Sequence, residues 1–89
     1  MSIDVRVTVR YWAAAREAAG LAEEQVSATT LAEALSSVRS RHRDRPRFEQ
    51  VLQICSLLVD GDPVGTRDPA TVALGAGAKI EVLPPFAGG

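Results

Sequence analysis

The chain has 89 residues, 46% of them hydrophobic, and a formal net charge of −1. That length fits one domain with one core, the apolar content excludes a disordered chain, and the near-balanced charge argues against a nucleic-acid partner. A single cysteine, Cys55, excludes an internal disulfide and a multi-cysteine metal site; with no signal-peptide pattern at the start and no apolar run of about 18 residues, a cytoplasmic protein with no membrane partner is expected.

Ile3, Val5, Val7 and Val9 alternate with Asp4, Arg6, Thr8 and Arg10, the period-2 pattern of a half-buried strand, and Tyr11 and Trp12 close it. Ala13 to Ala19 is alanine-rich and followed by Gly20, which predicts a short helix with a glycine stop. A weakly patterned strand follows over Glu24 to Ala28. Thr30-Leu31-Ala32-Glu33 is a capping box, and Leu31, Ala34, Leu35 and Val38 form the apolar stripe of a helix over 31–43. Pro46 is expected to end that helix, with Phe48 to Leu52 as a short helical turn.

Ile54 to Val59 reads as the next strand, with Cys55, Leu57 and Val59 on one face and Ser56 and Leu58 on the other. Asp60-Gly61 is a tight turn and nothing more, Val64 belongs to a short returning strand, and Asp68-Pro69 and Gly75-Ala76-Gly77 mark loops. Lys79 to Leu83 is the last strand, with Ile80 and Val82 inward, and Pro84-Pro85 forbids further ladder pairing. One main helix on one face of a small sheet is an α+β architecture, with a domain over 1–83 and a flexible tail over 84–89.

The chain carries no phosphate-binding glycine loop, no H-E-x-x-H and no C-x-x-C. Chemistry is instead expected at the tail. Pro84 and Pro85 fix φ and favour an extended path, and the six residues beyond Leu83 can span about 20 Å. Phe86 offers an apolar anchor and Ala87, Gly88 and Gly89 a slender end. A Gly89 carboxylate on an unhindered carbon suits activation by ATP, so the reacting group is expected to be that carboxylate, worked on by other proteins.

Val9 to Gly20, Leu58-Val59-Asp60-Gly61-Asp62-Pro63-Val64 and Leu74 to Gly89 with its Pro-Pro-x-x-Gly-Gly ending resemble the molybdopterin synthase small subunits of the MoaD/ThiS superfamily. The resemblance implies a β-grasp, ubiquitin-like fold with a mixed sheet. It implies that an E1-like adenylyltransferase uses ATP to adenylate Gly89, that a sulfur donor protein converts the adenylate to a thiocarboxylate, and that the tail then enters the synthase large subunit to pass sulfur to cyclic pyranopterin monophosphate. The chain itself would bind no cofactor or metal and have no active site of its own. Phe86 and Ala87 depart from the commonest small-subunit ending, where valine and serine or threonine stand, and Ala-Gly-Gly also ends thiamine and cysteine-pathway carriers. Those acceptors therefore remain open, as do a ubiquitin-like modifier joined to target lysines through Gly89 and a bare interaction domain.

Leu58 and Leu83 fall on strand faces opposite the inward residues, and with Phe86 they form the expected partner-docking patch. Cys55 reads as a small buried hydrophobe and His42 as a solvated residue favourable to a helix end. The arginines from Arg39 to Arg47 read as a solvated helix end, with docking of an acidic partner as the sharper alternative.

Overall fold

The computed structural model describes residues 5–85, so Ile3 and Asp4 of the first predicted strand and Phe86 to Gly89 lie outside the described residues. Five strands, β1 (Arg6–Tyr11), β2 (Glu23–Ser27), β3 (Ser56–Val59), β4 (Asp62–Pro63) and β5 (Lys79–Leu83), alternate with three helices, α1 (Ala13–Ala19), α2 (Leu31–Arg41) and α3 (Pro46–Ile54), and a 3-10 turn over Pro69–Thr71. The sheet order is β2-β1-β5-β3-β4. The central β1 and β5 run parallel, and the other pairs are antiparallel.

The expected α+β, β-grasp architecture is what the chain adopts. Val7, Val9, Ile80 and Val82 face inward from the two central strands and are buried with Leu31, Ala34, Leu35 and Val38, the stripe read from the sequence. Each aliphatic side chain so removed from water contributes about 1.5 to 3 kcal/mol. At the start of α2 the Thr30 hydroxyl accepts from the Glu33 amide at 3.2 Å, and the Glu33 carboxylate reaches back to the Thr29 amide and hydroxyl. Those donors hold the Glu33 carboxyl below its ordinary range.

The expected short helix over Ala13 to Ala19 and main helix from Leu31 are present, while the expected helical turn over Phe48 to Leu52 is a full helix, α3, of nine residues. Pro46 does not merely stop α2, which already ends at Arg41; it occupies the first turn of α3. A proline there has no amide to leave unpaired, and its φ is already helical. Arg45, before it, is extended as the proline requires. The nine residues of α3 hold together because Phe48, Val51 and Leu52 recur at helical spacing and are buried. Ile54 therefore ends a helix rather than opening a strand, and β3 begins at Ser56.

Two corners need backbone that most residues avoid. Gly20 ends α1 at φ 83°, its amide donating to the Arg16 carbonyl at 2.9 Å. The Arg45 guanidinium lies over Gly20, so a side chain there would have to displace it as well as adopt the positive φ. Ala13 turns the chain from β1 into α1 at φ 48°, a left-handed conformation costing an L-residue roughly 1 to 2 kcal/mol. Ala13→Gly should relieve that cost against a smaller loss in unfolded-chain entropy. We expect it to raise the melting temperature by a few degrees, while Ala14→Gly, one step into the regular helix, lowers stability by about 1 kcal/mol; paired thermal melts check this.

Asp60-Gly61 forms the tight turn expected, with φ 50° and 87°. It does more than turn. The Asp60 carboxylate accepts from the Lys79 amide at 2.9 Å, and the Asp60 amide donates to the Lys79 carbonyl at 2.8 Å. The turn is thus tied to the first residue of β5, which fixes where the last strand begins.

Candidate functional site

Because β1 and β5 are parallel and β3 is antiparallel to β5, three chain segments meet where β5 ends. Tyr11 pairs with Val82, and Ser56 pairs with Leu83. The Trp12 amide, one residue past β1, donates to the Val82 carbonyl at 3.1 Å. On the other flank, Cys55 caps α3 in an extended conformation and leads straight into Ser56. The chain leaves the sheet between these flanks through a half-buried Pro84 and an exposed Pro85. Of the predicted tail residues, Pro84 and Pro85 are therefore placed, while Phe86, Ala87, Gly88 and Gly89 lie outside the described residues.

The two leucines of the predicted patch lie on the outward face of the sheet. The register places Leu58 opposite Glu81 and Leu83 opposite Ser56, while Leu57, Val59, Ile80 and Val82 turn inward. Both leucines are half-buried rather than fully exposed. Trp12, which the sequence reading treated only as the close of a strand, belongs beside them. It is 39% exposed; its indole Nε1 donates to Glu81 Oε1 at 3.2 Å, and the Arg10 guanidinium lies 4.6 Å from the ring centroid. A cation held over an indole at that distance is attracted by the ring face. The missed signal was parity: position 12 continues the outward set 6, 8 and 10.

Cys55 is half-buried beside the chain's exit, and burial pushes its thiol above the ordinary range. Since the thiolate is the nucleophile, that shift lowers the nucleophilic fraction; Cys55 packs against the core as a small hydrophobe but is half-buried rather than buried as expected.

His42 is not the solvated residue expected from its arginine-rich surroundings. Its side chain is 11% exposed and its Nε2 donates to Glu24 Oε2 at 2.6 Å. The same oxygen accepts from the Tyr11 hydroxyl at 2.5 Å, and Arg41 reaches Oε1 at 3.1 Å. Glu24 sits on the inward face of β2 with its side chain only 7% exposed, which is why the strand pattern there looked weak. Burial alone would raise its carboxyl, but the hydrogen bonds from Tyr11, His42 and Arg41 outweigh that and hold it below the ordinary carboxylate range. Burial and the neighbouring carboxylate push the Tyr11 phenol far above its usual value, so it acts as a donor throughout. The imidazole packs on Phe48, with ring centroids 4.7 Å apart, so the group ties β1, β2, α2 and α3 together.

The arginine cluster does not form one basic patch. Arg39 is paired with Glu49 at 2.8 Å and Arg41 with Glu24. Arg45 and Arg47 line an open cleft that they share with Glu17 and Asp44, so the charges there are mixed. Among the described residues, no group of histidine, cysteine and carboxylate side chains could hold a metal ion, and no helix is long and apolar enough to cross a membrane.

The fold has close counterparts among solved structures. The solution structure of small archaeal modifier protein 1 (SAMP1) from Methanosarcina acetivorans superposes with a TM-score of 0.79 at 22% identity, covering 99% of this chain and 100% of that one. The complex of subunits 1 and 2 of the molybdopterin-converting factor from Helicobacter pylori gives a TM-score of 0.65 at 23% identity, covering 94% and 99%. The BexX/CysO complex of Amycolatopsis orientalis gives 0.73 at 21% identity, covering 93% and 99%. At these identities the likeness shows a shared β-grasp fold. Among curated proteins, none matches the chain at a significant level. The ThiS family profile, by contrast, matches residues 9–89, from the first central strand through the terminal glycines, and the chain belongs to the ThiS family.

Proposed function

We propose that this protein is the sulfur-carrying small subunit of a molybdopterin synthase and that its reacting group is the Gly89 carboxyl. The observation that carries the proposal is the exit of the chain. Pro84 and Pro85 leave the sheet beside the outward-facing Leu58 and Leu83 and lead to a Gly-Gly ending. Leu58, Leu83 and Phe86 then serve as the docking contacts, and residues 84–89 as the inserted tail.

The chemistry follows from the weakness of a carboxylate as an acyl donor. An E1-like adenylyltransferase couples Gly89 to ATP, forming an acyl-adenylate and releasing pyrophosphate. Hydrosulfide released by a sulfur donor protein attacks the acyl carbon, the bond from that carbon to the phosphate oxygen breaks, and AMP departs with the oxygen. The resulting thiocarboxylate is a nucleophile that docking on the large subunit holds at high effective concentration against cyclic pyranopterin monophosphate. This chain binds no cofactor of its own; ATP belongs to the activating partner.

A second reading is favoured by the likeness to SAMP1: a small modifier whose Gly89 is joined to a lysine amine of another protein. Intact mass after incubation with ATP, sulfide and the cognate activating enzyme separates the two. A gain of about 16 Da as sulfur replaces oxygen supports the carrier, whereas conjugates of higher mass support the modifier. No mass change removes both. Co-purification of a synthase large subunit then distinguishes molybdopterin from the thiamine or cysteine acceptors.

A further inference from the structure

We propose that the enzyme that activates Gly89 grips this protein from both flanks of the chain's exit, seating Ile54 at the end of α3 in an uncharged apolar rim of its own. The proposal holds on the reading of Gly89 as the reacting residue. Only four residues separate Pro85 from that carboxyl, a reach of about 13 Å fully extended. An active site deep enough to exclude water must open within that distance, so its mouth has to close around whatever borders the exit.

Two flanks border it. Trp12 stands on one, next to Leu83; Ile54 and Cys55 stand on the other, immediately before Ser56, which pairs with Leu83. Among the described residues, the large hydrophobic side chains left exposed are Trp12 at 39% and Ile54 at 62%, and the strand register brings both to this one end. Ile54 is not exposed for want of a core to enter. Phe48, Val51 and Leu52 already supply the buried face of α3, and Ile54 adds apolar surface beyond it. Covering an isoleucine is favourable by roughly 1.5 to 3 kcal/mol, enough to matter in an interface where a few apolar anchors dominate.

The chemistry of the two flanks differs. Around Trp12 lie Arg10 and Glu81, so a partner there meets both signs of charge. Ile54 is flanked along the chain by Gln53, Cys55 and Ser56, and Ser56 pairs with Leu83 at the end of β5; none of these residues is charged. The partner surface that fits is an apolar pocket with no compensating acidic or basic group, reached from the helical side of the sheet. The contact thus extends beyond the outward leucines and around the sheet's end.

The test uses the full chain and the E1-like adenylyltransferase encoded in the same genome, read by carrier-dependent ATP–pyrophosphate exchange. Ile54→Arg is expected to raise the KM for the carrier about tenfold or more while leaving kcat and the melting temperature unchanged, because the residue is exposed and lies outside the buried core. Ile54→Leu should restore the wild-type KM, and Gln53→Arg, which places the same charge one residue away, should cost less. An Ile54→Arg KM within about twofold of wild type overturns the proposal; if Leu83→Arg raises KM in the same assay, docking is confined to the outward face and the carrier reading stands. A wild-type chain that supports no exchange removes the carrier reading and this proposal with it. Sedimentation showing a wild-type dimer that Ile54→Arg dissociates assigns Ile54 to self-association and also overturns the proposal.

Discussion

Deleting Gly89, or adding one residue after it, is expected to abolish sulfur loading while the domain melts as before. On the proposed function, the activating partner brings a Gly89 carboxylate oxygen to the α-phosphorus of ATP, and the docking surface fixes how far the tail reaches. One residue more or less moves the reacting carbon by about 3.3 Å along an extended path, and a displacement of even 1 Å can cost about a hundredfold when reaction depends on alignment. Among the described residues the last core side chain along the chain is Val82, and Pro84 and Pro85 already stand beyond the ladder. Intact mass should therefore show no gain of about 16 Da for either variant, with circular-dichroism melts coinciding with wild type. Full loading of a tail-extended chain that has not been trimmed would contradict the assignment of Gly89.

Glu24→Ala should produce the largest stability loss among single surface-strand substitutions, about 2 to 3 kcal/mol. The carboxylate is the shared acceptor for the Tyr11 hydroxyl and His42 Nε2, both well shielded from water, and its removal leaves those donors without a partner. The Arg41 arm is half exposed and contributes little once solvent screening is counted. A domain of this size should melt lower by some 10 to 15 °C. The pH dependence has a definite sign. A carboxyl held below its ordinary value when folded stabilises the protein fully above the unfolded value, about pH 4.3, and that contribution is lost as pH falls through its lower folded value. The wild-type urea midpoint should therefore drop on acidification below about pH 4, more steeply than that of Glu24→Gln, which has no charge to lose. Parallel slopes for the two proteins would show that Glu24 carries no such linkage.

The two predictions fall at opposite ends of what one chain displays openly. The tail is written out residue by residue: paired prolines, an aromatic, a small residue and two glycines need no distant neighbour to be recognised. The capping box before Leu31, the stripe through Val38 and the Asp60-Gly61 turn are equally local, since each involves groups within one or two turns of the chain. The period-2 runs in β1 and β5 placed Leu83 outward for the same reason, and the run through Leu58 did so for β3. Pro46 misled because a proline forbids the continuation of one helix and favours the start of another with the same geometry. Only the burial of Phe48, Val51 and Leu52, with α3 packed on α1 and Phe48 on Tyr11, decides between them.

The amino-acid order by itself thus determined the tail motif, the family and the faces of the central strands, because periodicity and backbone restriction act over a few residues. The tertiary structure alone decided that Glu24 would face inward to bind Tyr11 and His42, residues separated from it by 13 and 18 positions. It also decided that Trp12 and Ile54 would stand on either flank of Leu83, where the chain leaves the sheet. Those meetings depend on which strands pair and in which direction, and a parallel β1–β5 pair bringing residues 11 and 82 together is a contact that no local pattern encodes.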